Sequence, residues 1–370
     1  MKSDRAVDSG LEGVVVAESA LSRVDGEGGR LIIRGHEVGE LAEQASFEDT
    51  CALLWRGDPP GSAPRDGIAG LIGRAREHAF ERLDTLGGGL ARPDGMDALR
   101  AGIAQLAFEE EEDPVVEAAT LAGATAVFAA AWARAQAGAA PIAPDPHASH
   151  AADYLRMATG EAPPVAARAL QRYLVTVADH GMNASTFAAR VVTSTGSDMV
   201  SAITAAIGAL KGPLHGGAPG PVLDMLDAVG SEGGARAFLE RELARGARIM
   251  GMGHRIYRVR DPRAAVLEGA VRLLSPEGAD RARLRIARDV EAAALSLLRE
   301  RYPGRRLEAN VEFYTAVLLD AVGLDRSLFS PTFAVGRVAG WCGHVLEQRQ
   351  RGRLIRPKLR YVGPVPGLAA

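Results

Sequence analysis

The sequence predicts an all-α protein of two domains with minor short strands. Three observations carry that expectation. Long segments are filled with alanine, leucine, arginine and glutamate, which are good helix formers. Strand signals are sparse and peripheral, and no strand–helix alternation appears, so a parallel sheet with a nucleotide crevice is not expected. The 370 residues exceed one average domain and suffice to bury a sizeable core.

The elements follow in order. Gly13–Val16 and Leu31–Ile33 flank the turn Asp25-Gly26-Glu27-Gly28-Gly29 and are expected to form a small hairpin. Helices are expected over Ser46–Trp55, Gly67–Leu83, Met96–Leu106, Val115–Ala135, Ser149–Thr159, Pro164–Ala178 and Ser197–Leu210. Later ones cover Pro221–Val229, Gly234–Ala244, Pro262–Leu274, Asp280–Arg301, Val311–Leu319 and Pro331–Arg351. Pro164, Pro262 and Pro331 each fall where a first helical turn tolerates proline. Arg360–Val362 reads as a further short strand.

Composition bounds the function. The formal net charge is −3 and no block of like charge dominates, so no nucleic-acid footprint is expected. The acidic run Glu109–Asp113 reads as a solvated loop. Cys51 and Cys342 are the only cysteines, which excludes a disulfide framework and suits a reducing cytoplasm. Met1 to Gly10 carries no apolar signal-peptide core. The uncharged run Ala118–Ala133 is shorter than the ~20 residues of a bilayer span and reads as a buried core helix. No G-x-G-x-x-G opens a helix and no phosphate loop is present.

Four strings carry candidate chemistry. In Lys211-Gly212-Pro213-Leu214-His215-Gly216-Gly217, glycines beside His215 allow backbone to approach a ligand; a plain helix-terminal histidine is the alternative. Met250-Gly251-Met252-Gly253-His254-Arg255, followed by Arg258, Arg260 and Arg263, gathers cations around a glycine-rich turn suited to an anionic ligand. In Asp179-His180-Gly181-Met182-Asn183-Ala184-Ser185, His180 and Asn183 can face one pocket while Asp179 fixes the imidazole tautomer, or Asn183 or Ser185 simply caps the next helix. In Asn310-Val311-Glu312-Phe313-Tyr314, Glu312 is a helix-start carboxylate, favoured by the helix N-terminus. His36, His78, His147 and His150 read as bland. Cys342 and His344 lie two residues apart on one helix, hence on different faces, so no metal pair is expected.

Together these strings resemble the citrate synthase family, particularly the short bacterial and archaeal forms that include 2-methylcitrate synthases. The resemblance starts at Gly10-Leu11-Glu12-Gly13 and passes through Asp179-His180, Gly208-Ala209-Leu210 to Gly217, Gly253-His254-Arg255 and Asp261-Pro262-Arg263. It ends with Arg337-Val338-Ala339-Gly340-Trp341 and Leu354-Ile355-Arg356-Pro357. It implies a citrate synthase-like homodimer, with a large domain over 1–217 and 318–370 and a small mobile domain over 218–317. It implies that Glu312 is the base, His215 the donor to the thioester oxygen, and His254 the group that polarises the ketone of oxaloacetate. His180 and Asn183 would bind oxaloacetate, Arg263 and Arg337 would clamp its carboxylates, and Arg356 would reach across from the neighbouring subunit. Met250, Gly251, Met252 and Gly253 would line the adenine end of coenzyme A, with Arg258 and Arg260 near its phosphates. The implied substrates are oxaloacetate with acetyl-CoA or propionyl-CoA, with no tightly bound cofactor, metal, nucleic acid or membrane.

One departure matters. The family's string reads Asn-Val-Asp-Phe-Tyr, and this chain has Glu312 in place of aspartate. The longer side chain implies a normal enzyme with a shifted loop, a slow enzyme or one shaped for another acyl-CoA, or a protein that binds without catalysis. The second departure, Gly181 where many relatives carry glutamate, implies little.

Overall fold

A computed structural model describes residues 10–11, 13–62, 67–108, 113–216, 219–253, 256–274, 279–305, 307–363 and 366. The chain is all-α apart from one small sheet. Three antiparallel strands, β1 (Ser22–Asp25), β2 (Arg30–Ile33) and β3 (His36–Glu37), pair in the order β1-β2-β3, with Val24 opposite Leu31. The hairpin partner of β2 is therefore Ser22–Asp25 and not Gly13–Val16. The former abuts the glycine turn, whereas Val14 to Val16 are exposed and have no face to bury. Arg360–Val362 is likewise not a strand: Tyr361 and Val362 are exposed, and no strand pairs with them in this chain among the described residues.

The first helices are α1 (Val38–Gln44), α2 (Phe47–Arg56), α3 (Ile68–Glu81), α4 (Gly95–Ile103), α5 (Pro114–Gln136), α6 (His150–Thr159), α7 (Pro164–Val177), α8 (Ala184–Thr193) and α9 (Met199–Leu210). They continue as α10 (Pro219–Glu232), α11 (Ala235–Ala244), α12 (Pro262–Leu274), α13 (Ala279–Arg301), α14 (Val311–Ala321) and α15 (Phe329–Arg351). Short 3-10 turns cover Leu83–Gly89 and Arg326–Leu328. Starts are set by polar caps: Ser46, Asp94, Asp113, Ser149, Asn183 and Asp198 each accept a backbone N–H of the helix that follows. Asp113, the end of the acidic run, is thus a helix cap; residues 109–112 lie outside the described set.

The core is centred on α5, buried nearly all round against α3, α4, α6 and α15. It is long and apolar enough to cross a membrane by length and composition, but its burial inside the chain marks it as a core helix. Beneath it, buried Arg76 pairs with buried Asp153 at 2.7 Å. His150, expected to be bland, belongs to this cluster: its Nδ1 lies 3.3 Å from Arg76, its ring stacks on Phe47, and its backbone N–H donates to Glu48 at 2.6 Å. The helices α10 to α14 pack on one another, while α12 and α14 also touch α7.

One packing contact positions the site. Helix α15 crosses the end of α7 so closely that a Cβ on Gly340 would lie 2.3 Å from the Ala178 carbonyl oxygen, and one on Gly336 would lie 2.6 Å from Val177. Only glycine permits that approach. It sets Arg337 and Trp341 of α15 beside Asp179 and His180, the residues that follow α7.

Candidate active site

Four stretches of chain converge here: the loop 178–183, the turn after α9, the described residues 250–253 and 256–263, and the start of α14. His180 is buried, and its Nε2 lies 3.2 Å from the hydroxyl of Tyr257. The Arg263 guanidinium stacks over the Tyr257 ring at 5.9 Å and pairs with Asp261 at 2.7 Å. All four of these side chains are nearly inaccessible.

Asn183 has a cap's role first: its Oδ1 accepts the Thr186 N–H at 3.1 Å, and its Nδ2 donates to the Gly181 carbonyl at 3.3 Å. Capping α8 holds Ser185 in place, and Ser185 Oγ meets Asn183 Oδ1 at 2.7 Å, His215 Nε2 at 2.7 Å and the Trp341 indole N–H at 3.0 Å. Asn183 thereby links the loop carrying His180 to His215. Burial, and then the charge of Arg337, push the His215 pKa down to about 4. Its imidazole is neutral at neutral pH and can donate to a developing oxyanion without carrying a charge.

Glu312 occupies the first turn of α14. Burial raises its pKa above the usual carboxylate range, opposed by Arg263 and Arg337. A partly raised carboxyl is the better base at neutral pH. Its backbone is tightly held. Asn310 N–H donates to the Gly251 carbonyl at 3.0 Å, Asn310 Nδ2 donates to Gly253 at 2.9 Å, and Gly253 N–H donates to Glu308 at 2.7 Å. Gly251 takes φ +74°, and a Cβ there would lie 2.9 Å from that of Phe313. Met250–Gly253 is therefore strapped against the approach to Glu312.

Arg337 is the common neighbour. It is buried, its charge acts on His215, Glu312, Arg263 and Asp179, and its Nε donates to the Val177 carbonyl. Among the described residues it forms no ion pair with a carboxylate, although its ring contact with Phe333 at 4.8 Å helps to hold it. Burial pushes its pKa down to about 10. A buried guanidinium without a carboxylate partner is costly unless an anion completes it.

Arg260 lies between Glu268 (3.0 Å) and Glu291 (3.1 Å) and is half-buried. Arg258 is exposed, with its N–H bound to Gly26. Arg356 is exposed on the C-terminal segment and lines a cavity of about 760 Å³ with Leu11, Arg190 and Glu347. His254, Gly217 and Arg255 lie outside the described residues.

Sequence reasoning missed two partners. The Asp179 carboxylate accepts from Ser22 Oγ and lies 3.2 Å from His344 Nε2, a partner that the absence of a metal pair with Cys342 does not anticipate. The usable signal was spacing: Arg337, Trp341, His344 and Gln348 are four, three and four residues apart, which is one helical face. Among the described residues no cluster could hold a metal ion.

A citrate synthase family model, described as the citrate synthase C-terminal domain, matches residues 10–358. The chain belongs to the citrate synthase family. It is 40% identical over 369 residues to a putative citrate synthase 2 of Mycobacterium tuberculosis, covering 96% of this chain and 93% of that one. It is 38% identical over 368 residues to a 2-methylcitrate synthase of the same species, covering 96% and 91%. Among solved structures, Thermoplasma acidophilum citrate synthase in ternary complex with carboxymethyl coenzyme A and oxaloacetate superposes with a TM-score of 0.87 at 27% identity, covering 99% of this chain and 98% of that one. The citrate synthase-like helical architecture expected from the sequence is thus the architecture found.

Proposed function

We propose that this chain condenses a short acyl-CoA, acetyl-CoA first, with oxaloacetate and hydrolyses the resulting thioester to release citrate and CoA. The carrying observation is Arg337: a buried cation with no carboxylate partner among the described residues, whose charge acts on both His215 and Glu312. That is where a dianionic acceptor would bind beside a neutral donor and a buried base. The ternary-complex relative, which holds a CoA analogue and oxaloacetate, supports the same pairing of ligands.

In this reading Glu312 removes a proton from the acyl α-carbon while His215 donates a hydrogen bond to the thioester oxygen, since a thioester enolate forms only if its oxygen is stabilised at once. The new carbon–carbon bond joins that α-carbon to the ketone carbon of oxaloacetate. His254 polarises and protonates the ketone oxygen. His180 and Asn183 hold the acceptor, and Arg263 and Arg337 clamp its carboxylates. Met250, Gly251, Met252 and Gly253 line the adenine end of coenzyme A, with Arg258 and Arg260 near its phosphates. Arg260 must then share its guanidinium with Glu268 and Glu291. Closure of the 218–317 domain over 1–217 and 318–370 excludes water until hydrolysis. No tightly bound cofactor is required.

The working unit in this reading is a homodimer. Ser201, Thr204, Ala205, Gly208 and Ala209 form a half-buried small-residue face of α9, and Val14 to Val16, Leu354 and Leu359 are exposed. A second copy would cover them and place Arg356 at the neighbouring site. The cytoplasm suits two cysteines that are free and buried.

Product analysis by mass spectrometry tests the assignment, with acetyl-CoA and propionyl-CoA supplied together. The similar identity to a 2-methylcitrate synthase makes the competition necessary, because one methylene is worth only ~1–3 kcal/mol in a pocket. Citrate as the main product is expected. Predominant methylcitrate reassigns the acyl donor, and the absence of both products overturns the reading.

A further inference from the structure

We infer that His344 is a positioning residue for oxaloacetate, acting through Asp179 and Ser22 on the backbone that carries His180. This rests on the proposed role of His180 in binding oxaloacetate.

The Arg190 Nη1 faces His344 Nδ1 at 3.0 Å. A guanidinium only donates, so Nδ1 accepts and the ring carries its proton on Nε2. That N–H points at Asp179 Oδ1, 3.2 Å away. Arg190 cannot rotate away: it also donates to Gln348 at 3.1 Å and pairs with Glu347 at 2.7 Å. Arg190, His344 and Asp179 are all nearly inaccessible. The imidazole is thus locked in one tautomer as a donor to Asp179.

Asp179 passes this order to His180. Its carboxylate accepts the Ser22 hydroxyl, and Ser22 Oγ in turn accepts the N–H of Gly181 at 2.9 Å. The residues on either side of His180 are therefore tied to one serine of β1. Gly181 adopts φ +57° in this clasp, a conformation that glycine adopts without strain. Burial works against the Asp179 charge, but His344, Ser22 and Arg337 outweigh it and hold the carboxyl below its usual range. The His180 ring, aimed at Tyr257, sits on a backbone loop fixed from both ends. Removing the His344 donor frees one end of that loop and loosens the acceptor site first, while His215, one step further through Asn183 and Ser185, keeps its contact with Ser185 Oγ.

The test compares Ser22→Ala, His344→Asn and His344→Gln with wild type. Glutamine can present an N–H near the Nε2 position and keep the donation to Asp179; asparagine keeps a polar group near Nδ1 but loses that donation. A hydrogen bond to a charged group predicts a rise of about tenfold in KM for oxaloacetate for Ser22→Ala and His344→Asn. KM for acyl-CoA should stay unchanged, and glutamine should restore most of the loss. Ser22 is half-buried on a short strand, so its variant keeps the test usable if a His344 variant misfolds. An oxaloacetate KM within about twofold of wild type in the folded variants, with only a lowered melting temperature, would make the contact purely structural and overturn the inference. Wild type that shows no saturation by oxaloacetate would instead sink the functional reading, and this inference with it.

Discussion

Shortening Glu312 to aspartate is the perturbation with the clearest consequence. The substitution keeps a carboxylate of similar intrinsic acidity and withdraws it by one methylene, ~1.5 Å along an extended chain. Whether the site absorbs that change depends on the backbone. Here it is pinned: Asn310 is bonded to Gly251 and Gly253, and Gly251 has no room against Phe313. The start of α14 cannot advance to return the shorter side chain to its place. A misplacement of ~1 Å at a reacting group costs about 10²-fold in rate, or ~2.7 kcal/mol of barrier. Glu312→Asp should therefore lower kcat for condensation about 10²-fold, with KM for oxaloacetate little changed because Arg263 and Arg337 remain. Steady-state release of CoA thiol from acetyl-CoA measures this directly. If the aspartate variant is faster than wild type, glutamate is a handicap and the argument from the pinned backbone is wrong.

Three further outcomes follow from the same geometry. The His215 pKa of about 4 lies below its usual value, so its folded state resists protonation. Its contribution to stability is intact above pH ~6.5 and lost as pH falls through about 4, at most ~3 kcal/mol; urea titrations of wild type should show a steeper acid loss than His215→Gln. Glu312 is shifted the other way, so the ionised form is the disfavoured one. Glu312→Gln should raise the melting temperature at pH 7–8 while abolishing turnover, and its advantage should vanish as pH falls low enough to protonate the wild-type carboxyl. Arg76→Met removes the buried partner of Asp153 and leaves that carboxylate to the part-exposed Arg156 at 2.6 Å and the Asp145 N–H, and should cost ~3 kcal/mol by denaturant unfolding.

Much of this site could be read from the chain because its chemistry sits in short local strings. Asn183 shows both what that reading reaches and where it stops. Its spacing before an apolar helix identifies a cap, and it is one, but its link to His215 through Ser185 depends on a turn thirty residues away in sequence. Long helices such as α5 and α15 were legible almost to their ends from their length and helix-forming composition. The seven-residue α1 and the ten-residue α8 were not, since α1 is short and α8 follows a glycine-containing loop. The strand Ser22–Asp25 was displaced in the sequence reading because valine-rich Gly13–Val16 looks more strand-like, yet pairing follows distance from the turn. His150 and His344 escaped notice because their partners, Arg76, Glu48, Arg190 and Asp179, come from other helices and loops.

In the proposed mechanism Glu312 and His215 act on one thioester while Arg263 and Arg337 hold the acceptor. Release of free CoA from acetyl-CoA, followed with and without oxaloacetate in wild type and His215→Ala, tests it most directly. Release is expected to require oxaloacetate and to fall at least ~10²-fold in the variant. Release that ignores oxaloacetate, or that survives the loss of the imidazole, would contradict it.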